Sequence, residues 1–285
     1  MEGSGAGGDG KMTGAADLAS GKGHGDENFP VASVLLRPEH RAPIMAFYRF
    51  ARAADDIADN EAASAEEKLT LLAHMRAGLD GAGAAEAMTL RDVMTARSID
   101  PVHAHDLLDA FVRDVTVNRC ADWNDLIGYC RLSAMPVGRY VLDVHGESRE
   151  TWPANDALCA ALQVINHLQD CGKDYRHLDR VYIPLDTGVV VEDIGGTRAT
   201  PALRAIITGL AGRTRELLGQ SAGFAGLIRD RRLAAEVAVI HRLATSLCNR
   251  LEARDPLSER VHHTKAEAAF LAIAVAVPTL FRRAA

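Results

Sequence analysis

No run of lysine or arginine, no C-x-x-C pair, no long apolar stretch and hardly any strand pattern occur in the chain, and each absence removes a class of protein. Acidic residues outnumber basic ones, 38 to 32, for a formal net charge of −6. Without a basic footprint to neutralise phosphates, no nucleic-acid partner is expected, and an anionic substrate would need a cation beside it. The five cysteines, Cys120, Cys130, Cys159, Cys171 and Cys248, are scattered and odd in number, as in a reduced chain rather than a disulfide framework or a zinc site. The apolar run AAFLAIAVAVP, residues 268–278, falls short of the roughly 20 residues that cross a bilayer. The first residues lack the basic start and apolar core of a secretory signal, so a cytoplasmic protein is expected.

What is present is a sequence of helix formers, 285 residues long and 48% hydrophobic, enough to bury a sizeable core. Residues 1–26 are rich in glycine and poor in large apolar side chains, and read as a flexible tail ahead of one domain over 27–285. Within that tail GAGGDGK, Gly5–Lys11, approaches a phosphate loop. Met12 stands where Ser or Thr would hold magnesium, and no strand precedes it. Helix starts follow at Pro38, at the Ser64/Glu67 capping box, at Asp100–Pro101, at Asp122 for a helix ending near His145, at Pro153, Pro201 and Asp230, and at the Thr264/Glu267 box. VYIPLDTGVVVEDI, residues 181–194, is either a short strand or an ordered loop. An all-α domain is expected.

Two helices carry acidic stripes. Steps of three and four residues place Arg41, Met45, Tyr48, Arg52, Asp55 and Asp59 on one face of the first, with Ile44, Phe47, Ala51, Ala54 and Ala58 on the core flank. On the second, the same steps connect Cys159, Gln163, Asn166, Asp170 and Asp174, while Leu158, Leu162, Val164, Ile165 and Leu168 surround that line. A helix apolar on so many sides is buried, so its polar stripe should face an internal cavity. Carboxylates four residues apart repel one another and are tolerated in such a place when paired or bound to metal. Opposed walls of oxygen donors suit Mg²⁺ bridged to a diphosphate, with Arg52, Arg41, Arg176 or Arg180 balancing the remaining charge.

These residues resemble the squalene/phytoene synthase family of head-to-head isoprenyl diphosphate synthases. Its first aspartate-rich motif is matched by Arg52, Asp55, Asp56 and Asp59, and its second by Gln163, Asn166, Asp170 and Asp174. RVYIP, residues 180–184, and YCRLSAMPVG, residues 129–138, match as well. ENFPVAS (27–33), FARAADDIAD (50–59) and DPLSERVH (255–262) are most similar to the hydroxysqualene synthase branch of bacterial hopanoid pathways. The resemblance implies an isoprenoid synthase fold, a helical bundle around an apolar cavity. It also implies presqualene diphosphate as substrate, metal-assisted loss of diphosphate, and capture of the carbocation by water without a redox cofactor. Two positions depart from the family pattern: Ala51 precedes Arg52 where cysteine is common, and Gln169 replaces an arginine before Asp170. Fewer cations beside the diphosphate suit one ionisation rather than two.

Asp55, Asp59, Asp170 and Asp174 are therefore the expected metal ligands, joined by Asp56 from just off the stripe. Tyr48, Tyr129 and Tyr182 offer π faces to a cation and hydroxyls to diphosphate, or serve as core. The resemblance implies that Phe29 closes the cavity, and small residues Ala134, Gly138, Ala157 and Ala161 make room for a long hydrocarbon. The final stretch to Arg282 and Arg283 is either a core helix or a peripheral contact with a membrane. His103/His105 and His262/His263 do not share a helical face and are not read as metal ligands. Two other readings stay open: synthesis of presqualene diphosphate, squalene or phytoene from two prenyl diphosphates, and a non-catalytic assembly factor, which would be expected to lose the acidic ligands.

Overall fold

A computed structural model describes residues 37–281, so the glycine-rich tail, Phe29 and the terminal arginines lie outside the described residues. Twelve α-helices occupy this span: α1 Pro38–Ala58, α2 Ala65–Leu79, α3 Ala85–Arg97, α4 Val102–Thr116, α5 Trp123–Ser133, α6 Met135–Val144, α7 Trp152–Leu178, α8 Val191–Ile194, α9 Pro201–Gln220, α10 Phe224–Leu227, α11 Arg231–Ala253 and α12 Lys265–Phe281. The 27-residue α7 is the axis of the bundle, packing against α5, α6, α9 and α11, while α1 packs against α2, α3, α4 and α6. The core where they meet includes Phe50, Ile57, Leu108, Leu126, Tyr140, Ile165 and Leu168, all essentially inaccessible to water. Burying side chains of this size contributes roughly 1.5–3 kcal/mol each before entropy is counted.

Local signals account for most of the helix ends. The hydroxyl of Ser64 accepts from the Glu67 amide while the Glu67 carboxylate accepts from the Ser64 amide, and Thr264 and Glu267 repeat the arrangement. The carboxylates of Asp122 and Asp230 accept from amides of the first turns of α5 and α11.

The structure differs from the sequence expectations in two places and decides two alternatives that the sequence left open. The helix expected from Asp122 to about His145 is two helices that break at Ala134, because Pro136 supplies no amide donor and its ring crowds the preceding turn. A separate α3 intervenes before Asp100, after a turn in which Gly81 takes φ 107°. Residues 181–194 form an ordered loop rather than a strand: Val181 makes one parallel bridge to Arg119, followed by a 3₁₀ turn at 185–187 and the short α8. Finally, α12 is not an ordinary core helix, since it lies on α11 with Phe270, Ile273 and Val277 exposed to 75%, 65% and 49%. Among the described residues no helix is long and apolar enough to cross a membrane.

Gly138 sets the closeness of α6 and α7. A Cβ at this position would lie 2.1 Å from Asn155 Oδ1 and 2.6 Å from Cys159 Sγ, so only hydrogen fits. Gly138→Ala is expected to destabilise the chain by about 1–3 kcal/mol through overpacking, in spite of alanine's better helix propensity. Urea unfolding would measure it, and an unchanged or higher midpoint would contradict this account of the contact.

Candidate active site

A cavity of about 550 Å³ runs between α1, α4, α5, α6, α7 and α11. On α1 and its C-cap the lining extends from Ile44 to Asp59, fifteen steps or about 22 Å along the helix axis. The walls change character over that length. Ile44, Phe47, Leu158, Leu162, Val237 and Ile240 form apolar walls, whereas Asp55, Asp59, Asp174 and Arg180 meet where α1 and α7 end.

The polar end is held by Arg180. Its Nη1 donates to Asp59 Oδ1 at 2.5 Å, its Nη2 to the Ala58 carbonyl at 2.9 Å, and its Nε to the Asp114 carbonyl at 3.1 Å. One buried guanidinium therefore ties the loop after α7 to the ends of α1 and α4, using its planar fork in three directions. Arg52 is likewise engaged, with Nη1 2.6 Å from Asp55 Oδ2 and Nη2 3.1 Å from Asp56 Oδ1. The Asp174 carboxyl is pushed up to about 7, first by burial and then by the negative charges of Asp170 and Asp59. Asp55, Asp59 and Asp174 offer only oxygen donors at this end of the cavity, the chemistry that a hard divalent cation takes, although among the described residues no three acidic side chains bring ligand atoms within 4.8 Å of one another.

Two tyrosines and an aspartate form the adjoining wall. Tyr129 and Tyr182 both donate to Asp114, at 2.8 and 2.7 Å, and their rings lie 5.1 Å apart. Burial pushes the Asp114 carboxyl up from 3.8 to about 6 against the opposing pull of Arg180 and both hydroxyls. The imidazole of His167 stacks on Tyr182, with centroids 3.6 Å apart.

Of the residues singled out in the sequence, the cavity is lined by Tyr48, Arg52, Asp55, Asp59, Tyr129, Gln163, Asp174, Arg180 and Tyr182, with Ala134 and Gly138. Asn166 and Asp170 lie on the α7 stripe, half-buried but outside that lining, with Asp170 Oδ1 4.0 Å from His262 Nε2. Asp56 turns to Arg52. Arg41 is not among the lining residues, and the exposed Arg176 donates to the Gly196 carbonyl at 3.4 Å. Ala157 and Ala161 are buried away from the lining.

Sequence reasoning missed Asp114, His167 and Glu236, which also line the cavity. Glu236 interrupts the apolar run LAAEVAVI, and that interruption was an available signal, because such side chains are rarely buried without a partner or a purpose; Asp114 and His167 stand beside other polar residues and carried no such signal.

A family model described as squalene/phytoene synthase matches residues 22–267. The chain belongs to the squalene/phytoene synthase family. It is 56% identical over 275 residues to the hydroxysqualene synthase of Zymomonas mobilis, covering 94% of this chain and 93% of the relative. It is 54% identical to that of Rhodopseudomonas palustris, covering 88% of each. Among solved structures it resembles squalene synthase HpnC from Alicyclobacillus acidocaldarius, with TM-score 0.68, 27% identity and coverage of 84% of this chain and 92% of that one. A dehydrosqualene synthase in complex with a ligand shares the fold, with TM-score 0.71, 20% identity and coverage of 89% and 92%.

The raised pKa of Asp114 has a consequence for stability. A folded-state value of about 6 above an ordinary 3.8 means that the folded chain binds this proton more tightly than the unfolded one. The stabilisation is complete below pH about 4 and is lost as pH rises through about 6. Asp114→Asn removes the titration, so the stability difference between variant and wild type should move in the variant's favour between those limits. Denaturant titrations across the range would detect this, and a difference independent of pH would rule it out.

Proposed function

We propose that this enzyme converts presqualene diphosphate to hydroxysqualene. The carrying observation is a cavity that joins a long apolar barrel to a cluster of carboxylates and arginines, in a chain 48–56% identical to three hydroxysqualene synthases over most of its length. The family acts on prenyl diphosphates, and the substrate's two chemistries correspond to the two ends. The carbon–oxygen bond breaks with the electron pair leaving on diphosphate. The cyclopropylcarbinyl cation rearranges, and water adds to it, so carbon is neither oxidised nor reduced by an outside agent.

Asp55, Asp59, Asp170 and Asp174, with Asp56 behind Arg52, are the residues that would hold Mg²⁺. A bound cation there supplies charge stabilisation for the departing diphosphate. The chain's own contribution is orientation and exclusion of water. Arg180 locks the ends of α1 and α4, so the carboxylates stand ready without reorganising. Arg52 keeps Asp55 and Asp56 in register. Gln163 and Asn166 continue the polar stripe towards the diphosphate end, and Tyr48, Tyr129 and Tyr182 turn ring surface towards the developing cation. The apolar walls keep bulk water from quenching it early.

The exposed apolar stripe of α12 gives this enzyme a surface for peripheral contact with a lipid bilayer, the phase in which its substrate and product dissolve. Phe270→Ser with Ile273→Ser should weaken co-sedimentation with phospholipid vesicles several-fold, and unchanged binding would exclude this face.

Incubation of purified protein with Mg²⁺ and presqualene diphosphate is expected to yield hydroxysqualene, and chelation by EDTA to stop it. Turnover of farnesyl diphosphate alone would favour head-to-head condensation instead. Asp55→Asn and Asp174→Asn should each lower kcat at least 100-fold, about 2.7 kcal/mol in the barrier, with the circular dichroism spectrum retained. Full activity in either would refute the assigned role, and inactivity of the wild type on both substrates would support a non-catalytic relative.

A further inference from the structure

The proposed reaction ends when one water molecule, and no other base, meets the cation. We propose that the imidazole of His167 holds that water and takes its proton as the carbon–oxygen bond forms. This assignment rests on the reading of the enzyme as one that makes hydroxysqualene.

The other groups at this end of the cavity are already engaged. Asp59 is held by Arg180, Asp55 by Arg52, and Asp114 accepts both tyrosine hydroxyls. His167 stands apart from them. It borders the cavity, is only 8% exposed, and is fixed face to face on Tyr182; its Nε2 is sealed from water and has no hydrogen-bond partner among the described residues, which leaves Nδ1 as the nitrogen that can meet a water. A buried imidazole nitrogen left so costs about 1–3 kcal/mol, a cost that packing alone does not repay. A core histidine kept only for packing would be replaced without loss by an apolar ring.

Position and basicity both suit the role. His167 precedes Asp170 by three residues and Asp174 by seven on α7, about 4.5 and 10 Å along the axis, so a water held here lies at the polar end of the cavity, where the cation forms. Burial, and then the charge of Arg180, hold the imidazole down to about 3. The ring is therefore neutral and one nitrogen keeps its lone pair. A protonated alcohol is a far stronger acid than an imidazolium, so even this weak base accepts its proton. A stronger base beside the cation would instead remove a proton from carbon and end the reaction at a hydrocarbon.

The balance is simple. The water oxygen donates an electron pair to the carbocation, one O–H bond of that water breaks, and the proton resides on the imidazole. It then leaves to the released diphosphate or to solvent, so that substrate plus water equals alcohol plus diphosphate.

The test follows products rather than rate alone. His167→Phe keeps an aromatic ring on Tyr182 without a nitrogen, His167→Leu removes the ring, and His167→Gln returns a polar side chain. With presqualene diphosphate and Mg²⁺, the Phe and Leu variants should release diphosphate within about threefold of wild type. Their ratio of hydroxysqualene to elimination hydrocarbons should fall at least tenfold, and Gln should restore part of it. Either folded apolar variant still making mainly hydroxysqualene would overturn the assignment. So would slower turnover with an unchanged product ratio, which is what a structural role gives. Wild type yielding no hydroxysqualene would instead defeat the underlying reading before any variant is compared.

Discussion

Carboxylates that repel one another in a mostly apolar cavity are the constraint around which the rest is arranged. Asp55, Asp59 and Asp174 line one end of a space whose other walls are hydrocarbon, and the rise in Asp174 records how far that neighbourhood disfavours another negative charge. The fold meets the repulsion with Arg180 and Arg52. Both are paired at close range to the acids they oppose, which fixes the acids but leaves the cluster rich in oxygen donors. A site of this kind favours whatever brings positive charge to it, and metal with diphosphate does so at the moment a leaving group needs it.

The same buried guanidinium links chemistry to architecture. By bonding the carbonyls of Ala58 and Asp114 it satisfies helix-end oxygens that the interior would otherwise leave unpaired. It also brings the Asp114 carboxylate, with its two tyrosines, beside the acidic stripe. Towards the apolar end the governing constraint is closeness: Gly138 lets α6 settle on α7, and the wall there is built of side chains with nothing to offer a cation. One end thus stabilises departing charge while the other holds a hydrocarbon away from water, which is the division of labour that a prenyl diphosphate demands.

Helices and stripes were legible in the sequence because both depend on short-range periodicity. Capping boxes, N1 prolines and the three-and-four spacing of the aspartates act within a turn or two, so Ser64, Thr264, Asp55 and Asp174 announced themselves. The break at Ala134 was legible in principle, since Pro136 stands in the sequence, and the apolar pattern across it concealed the break. Asp114, His167 and Glu236 were passed over for another reason. Asp114 and Glu236 have no acidic partner three or four residues away on their own helices, and His167, although spaced with Gln163 and Asp170, takes its meaning as they do from what lies across the cavity.

The sequence alone determined an all-α chain with two acidic helix faces and family motifs in order, because neighbours along a helix are set by its pitch. Only the tertiary structure decided which of those acids share the cavity lining, that Arg180 is bound to Asp59, and that Arg176 is turned elsewhere. It alone joined Tyr129, Tyr182 and Asp114, drawn from three separate elements, and set His167 against them. The reason is physical: partners many tens of residues apart meet through the packing of whole helices, and no local rule of spacing carries that information.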